Sequence, residues 1–133
     1  MNRKIILACL ILAVAVATIG VASALSTQIN LPDGYEIDEA QSYSNNTTFM
    51  GVDCECNHAV MVNGDKNITV DTYLPRAEFE LTPSNGSVMK NISGKEGIYS
   101  EIDGRHIFIY SDNHQGVQIN APDANVIEEI IGK

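Results

Sequence analysis

The stretch Ile98-Tyr99-Ser100-Glu101-Ile102-Asp103-Gly104-Arg105-His106-Ile107-Phe108-Ile109-Tyr110 decides the fold. Its β-branched and aromatic residues suit a pleated, half-buried surface, and Asp-Gly supplies the two left-handed residues that a tight hairpin turn demands. Residues 98–102 and 105–110 therefore read as antiparallel neighbours. Downstream, residues 116–121 pair back across 111–115, which sets Val117, Ile119 and Ala121 on one face. Pro122 ends that strand and Asp123 is a helix N-cap. Val126, Ile127, Ile130 and Ile131 then recur at helical spacing, with Glu128 and Glu129 on the wet side and Gly132 as a stop.

Upstream the same alternation of strand and turn continues. Residues 58–62 run into Asn63-Gly64 and leave through residues 67–73, with Pro75 as terminator. Ala77-Glu78-Phe79-Glu80-Leu81 alternates with period two and reads as a further strand, followed by a Pro83-Ser84-Asn85-Gly86 turn and a weaker strand over residues 88–92. Before residue 49 the signals thin out. Pro32-Asp33-Gly34 is turn chemistry, and residues 42–48 form a polar, loop-like run. The expectation is an α+β domain: an antiparallel meander of about six strands, a C-terminal helix packed on one face, and an apolar helix at the N-terminus.

That N-terminal segment sets the compartment. Asn2-Arg3-Lys4 is followed by twenty-one uncharged residues, 5–25. A membrane-spanning helix needs about 20 apolar residues; a signal peptide needs a basic start, a shorter apolar core and small residues at its cut. Ala22-Ser23-Ala24 favours a cut between Ala24 and Leu25, with a retained anchor as the alternative. In either case the basic flank stays inside and the rest goes outside. Cys9 lies early in the apolar core, where a membrane residue is expected, whereas a lipidated cysteine would close that core. The chain thus divides into a signal peptide or anchor (1–24), a lead-in (25–48) and one extracytoplasmic domain (49–133).

Without residues 1–24 the chain has 109 residues, enough for one modest core. It keeps six basic against 17 acidic residues, a net charge of −11. Such a surface repels nucleic acid and anionic lipid headgroups, which excludes nucleic-acid partners. The membrane is engaged only through the N-terminal segment.

Two sets of residues stand out. Asn-x-Ser/Thr occurs at Asn45, Asn46, Asn67, Asn85 and Asn91, where chance placement gives about 1.4 matches. These are candidate glycosylation sites, and the overlap of Asn45 with Asn46 means that one of the two is used. The second set is Cys54-Glu55-Cys56-Asn57-His58, which on a strand points both thiols and the imidazole to one side. The cysteines could be bonded to each other, though Cα atoms about 6.6 Å apart sit near the upper end of disulfide geometry. They could, with His58, hold a soft or borderline metal ion, although three ligands leave a structural zinc site incomplete. They could also be small buried hydrophobes.

Catalytic signatures are missing. There is no H-E-x-x-H, G-x-S-x-G or C-x-x-C, and Gly94-Lys95 lacks the rest of a phosphate-binding loop. Asn63, Asp65 and Asn67 imitate the start of a calcium loop, but Ile68 and Leu74 stand where Gly and Glu are required. His106 alternates with Phe108 and Tyr110, and His114 falls in a turn; both read as structural. No enzymatic activity and no cofactor are expected.

Leu31-Pro32-Asp33-Gly34-Tyr35, Gly94-Lys95-Glu96-Gly97-Ile98-Tyr99 and Ile127-Glu128-Glu129-Ile130-Ile131 together resemble small exported domains of unknown function from methanogenic archaea. The resemblance implies an anaerobic cell-envelope setting, in which free thiols persist, and carries over no functional residue. The function expected is that of a non-enzymatic, surface-associated binding module, secreted or anchored by residues 5–25, with an envelope protein or glycan as partner. Two rivals are a carrier with an apolar pocket between residues 126–131 and the sheet, and a metal-binding protein using Cys54, Cys56 and His58.

Overall fold

The computed structural model describes residues 29–112 and 114–132. The expected N-terminal helix, Cys9 and the cut at Ala24–Leu25 lie outside the described residues. Among the described residues eight strands form one antiparallel sheet: β1 (Glu36–Ile37), β2 (Tyr43–Phe49), β3 (Val52–Asn63), β4 (Lys66–Pro75), β5 (Ser87–Ile92), β6 (Lys95–Ile102), β7 (Arg105–Asp112) and β8 (Gln115–Ala121). One α-helix follows, α1 (Ala124–Ile131). The strands lie in the order β1-β3-β4-β8-β7-β6-β5, with β2 continuing β1 along the same edge of β3.

The sheet is therefore two meanders rather than one. β1–β4 and β5–β8 are each built from sequential hairpins, and the last strand, β8, returns to pair with β4 at the centre. The deciding hairpin forms as read: Ile102 opposes Arg105 across Asp103-Gly104, whose φ angles of 51° and 77° are the left-handed pair such a turn needs. Val117, Ile119 and Ala121 lie fully buried on one face. Against them packs α1, capped by the Asp123 carboxylate, which accepts from the Asn125 N–H at 2.9 Å, and closed by Gly132 at φ 90°. Ile127 and Ile130 join Met61, Ile68, Val70, Phe108 and Tyr110 in the main core.

Three expectations need correcting. The strand count is eight, because the polar run at 42–48 is not a loop: it forms β2, which pairs with β3 throughout. β2 sits at an edge with its residues largely exposed, so it needs no apolar alternation and shows none. Residues of the supposed lead-in, Ile29 and Tyr35, belong to the main core. Residues 77–81, by contrast, form no strand. They lie in the connection that must cross the sheet from the end of β4 to the far edge strand β5. Their alternation is nonetheless physical: Phe79 and Leu81 are half-buried while Glu78 and Glu80 are exposed. Phe79 meets Phe49 edge-on with ring centroids 5.2 Å apart. An extended strap thus lies on the face opposite α1, apolar side chains down, without joining a ladder.

Register assigns each side chain to a face, because directly opposed residues share one. Cys54, Cys56 and His58 on β3, Asp71 and Tyr73 on β4, and Gly116 and Gln118 on β8 all point to the strap face.

Candidate functional site

The Cys-x-Cys-x-His stretch lies mid-strand in β3, between β2 and β4. Cys56 opposes Tyr73, and His58 opposes Asp71 on one side and Tyr43 on the other. The sequence reading missed Asp71, which organises the group. Its Oδ1 lies 2.5 Å from His58 Nδ1 and 3.6 Å from the Cys56 thiol, which donates to it. Tyr43 stacks on the imidazole, with centroids 4.6 Å apart and planes 22° from parallel. Cys54 points its thiol to the Thr47 carbonyl oxygen, 3.6 Å away across the β2–β3 hairpin.

Both cysteines are free and buried, at 1% exposure for Cys54 and 5% for Cys56. Alternate residues of an extended strand stand at the far limit of disulfide geometry, and each thiol instead meets its own oxygen acceptor. Burial, followed by the charge of Asp71 and the hydrogen bond to it, pushes the Cys56 thiol up to about 12. Burial and the neighbouring Asp53 also raise Cys54. A thiol must ionise to attack an electrophile or ligate a metal. Here the carboxylate beside Cys56 opposes that ionisation. Among the described residues no three His, Cys, Asp or Glu side chains stand where they could share a metal ion. The cluster is a hydrogen-bonded seam: Asp71 ties β3 to β4, and the Tyr43–His58 stack ties β2 to both.

Next to the seam lies a second apolar group. Phe49 stacks on Tyr73 with centroids 4.3 Å apart and covers Gly116 so closely that a Cβ there would meet its ring at 2.6 Å. Phe79 of the strap closes against the same ring. Beside this group is a cavity of about 380 Å³ lined by Pro75, Arg76, Ala77, Glu78, Phe79, Ser111 and His114. The Arg76 N–H donates to the Asp53 carbonyl at 2.9 Å, which fixes where the strap leaves the sheet.

The other singled-out histidines remain apart from the seam. His106 points to the α1 face, with its Nδ1 2.6 Å from the Tyr99 hydroxyl. His114 is exposed in the β7–β8 turn at φ 65°. The five sequon asparagines are dispersed: Asn45 and Asn46 on β2, Asn67 on β4, Asn85 near the exit of the strap and Asn91 on β5. All five are exposed.

No family model, curated protein or solved structure matches the chain.

Proposed function

We propose that the protein is a non-enzymatic, glycan-bearing domain of the cell exterior, a surface-associated binding module either secreted after a cut at Ala24–Leu25 or held at the outer face of the membrane by residues 5–25. The observation that carries this reading is the exposure of all five sequon asparagines. Of the five described asparagines outside the motif, Asn57 is buried, Asn30 and Asn120 are half-buried, and Asn63 and Asn125 are exposed in turns or caps. A sugar can be borne only where the amide reaches solvent, and here every motif meets that condition. Among the described residues the cluster of Cys54, Cys56, His58 and Asp71 has its thiols raised by burial and neighbouring carboxylates, which supports a non-catalytic role.

The membrane part of the proposal rests on the apolar run of residues 5–25. Among the described residues no helix is long and apolar enough to cross a membrane. Ile29 is already packed in the main core, and the Asn30 N–H donates to the Ile130 carbonyl at 3.0 Å. Four residues from Leu25 to Ile29 reach at most about 14 Å, so an uncleaved anchor would hold the domain against the membrane surface. Intact-mass spectrometry of protein from its native source tests the glycan part, and N-terminal sequencing tests the anchor. A bare polypeptide mass overturns the first; a new terminus at Leu25 identifies the secreted form, and a terminus before residue 5 the anchored one.

A second reading, a small-ligand binder, is favoured by the cavity at the strap, whose volume falls within the range of small-molecule sites. It does not lie under the helix, where Val117, Ile119, Ile127 and Ile130 are fully buried and fill the interface. Its walls mix Arg76, Glu78, Ser111 and His114 with Phe79 and Pro75, which suits a polar ligand with one apolar side. Amide-shift titration with free amino acids tests it: perturbations confined to residues 76–79 and 111–114 support the site, and unchanged spectra at 10 mM or so, a weak-binding range, count against it.

A further inference from the structure

The sheet leaves four large apolar side chains in solvent: Tyr43 at 51% exposure, Val88 at 58%, Met89 at 46% and Ile102 at 55%. Register divides them by face. Tyr43 opposes His58, Ile102 opposes Arg105, and Met89 opposes Ile98, which opposes Ile109 and through it Gln118. All three belong to the strap face. Val88 alone opposes Tyr99 and Phe108, on the helix face.

Three of the sequon asparagines share the strap face with these side chains. Asn45 opposes Cys56, Asn67 opposes Val62, and Asn91 opposes Glu96, one pleat along from Ile98. Their spacing is specific. Asn45 is two residues from Tyr43 on one face of β2, and Asn91 is two residues from Met89 on one face of β5, each pair about 6.6 Å apart along the strand. Asn67 on β4 lies three strand spacings, about 14 Å, across the sheet from Ile102 on β6. Arg105, the cross-strand partner of Ile102, spans part of that distance, its Nη2 donating to the Asn67 carbonyl at 3.1 Å. A sugar rooted at Asn45 or Asn91 would lie over the neighbouring Tyr43 or Met89, and an oligosaccharide at Asn67 would reach Ile102 by extending across β8 and β7.

We propose that N-linked oligosaccharides at Asn45, Asn67 and Asn91 form a shield over the strap face, covering Tyr43, Ile102 and Met89 respectively. The proposal rests on the glycan-bearing reading and goes beyond it by assigning sites, a face and a role. The strap covers the middle of this face through Phe79 and Leu81; the sugars cover its margins. Asn45 rather than Asn46 is then the occupied member of the overlapping pair, because Asn46 points to the other side of β2.

The test compares protein produced in its native host, wild type and Asn45→Gln/Asn67→Gln/Asn91→Gln, by glycopeptide mapping, apolar-dye fluorescence and sedimentation. Sugar on Asn45, Asn67 and Asn91, with dye binding several-fold higher and self-association in the triple variant, is the expected result. Asn46→Gln/Asn85→Gln should leave both readouts unchanged. Adding Tyr43→Ser, Met89→Ser and Ile102→Ser to the triple variant should return dye binding to the wild-type level, which separates lost shielding from misfolding. Sugar on Asn46 with the strap-face sites bare overturns the shield while leaving the glycoprotein reading intact, as does a triple variant that binds no more dye than wild type. A polypeptide bare at all five sites overturns both.

Discussion

Replacing Gly116 with alanine tests whether the strap face is a packed layer or a loose covering. A Cβ at Gly116 would stand 2.6, 2.9 and 3.1 Å from three ring carbons of Phe49, where ordinary contact begins near 3.4 Å. The ring must therefore withdraw by roughly 1 Å, a displacement that close packing resists. It is not free to do so, because Phe49 is 5% exposed, stacked on Tyr73 and met edge-on by Phe79. Overpacking of this kind costs about 1–3 kcal/mol, while removing a strand glycine returns about 0.5–1 kcal/mol. The net expectation is a loss of about 1–2 kcal/mol, hence a Tm lowered by about 4–8 °C at about 4 °C per kcal/mol. Thermal unfolding followed by circular dichroism measures it. Phe49→Leu in the same background should relieve part of the loss, giving a coupling of at least about 0.5 kcal/mol. An unchanged or raised Tm for Gly116→Ala, or strictly additive single effects, would refute the claim that Phe49 is clamped.

Further outcomes follow from the seam and the core. Asp71→Asn removes the charge that follows burial in raising Cys56, so the pH midpoint of thiol alkylation should fall below about 12. Because that thiol titrates higher in the folded chain than unfolded, its contribution to stability is complete below pH 9 and is lost as pH rises from 9 towards 12; Tyr73 and Tyr110, also raised by burial, act in the same direction. Denaturant melts across that window should show a declining midpoint, and a flat profile would contradict the burial assigned to these groups. Ile130→Ala empties a fully buried site between α1 and the sheet and should cost about 2–5 kcal/mol in chemical unfolding. Phe79→Ala should speed proteolytic nicking within residues 76–86 by several-fold while changing global stability by less than Ile130→Ala does.

The parts of the fold legible in the sequence are those where local chemistry dictates geometry. Asp103-Gly104, the alternation through β7 and β8, and the Asp123-to-Gly132 helix each carry their own turn or cap signal. What was not legible depends on distant partners. β2 is polar because it is a solvated edge, so its seven residues look like a loop until β3 is beside them. Residues 77–81 alternate because one side rests on the sheet, and period two cannot tell a strap from a strand. Asp71 comes from the neighbouring strand, and its exact partner depends on the hairpin register. The hairpin turns on Gly64-Asp65, not on Asn63-Gly64, and this one-residue change moves Asp71 from opposite Cys56 to opposite His58. Cys54, Cys56 and His58 share one strand face as their spacing implies, while Asp71 joins them from the neighbouring strand, which spacing within one segment does not reveal.

The central pairing of β4 with β8 has a consequence for how the protein is made. The two strands are about 45 residues apart, and closing a loop of that length costs about 3.4 kcal/mol more than closing a minimal one. The first meander can form as soon as it emerges, yet its inner strand β4 stays an open edge until the last strand is synthesised. Such an edge is a template for mispairing. The final twenty residues therefore act as a latch: β8 covers the edge and α1, one turn later, seals the core over it. Truncation within this latch would leave a chain rich in hairpins but prone to associate, so the C-terminus governs whether the rest of the sheet remains a single molecule.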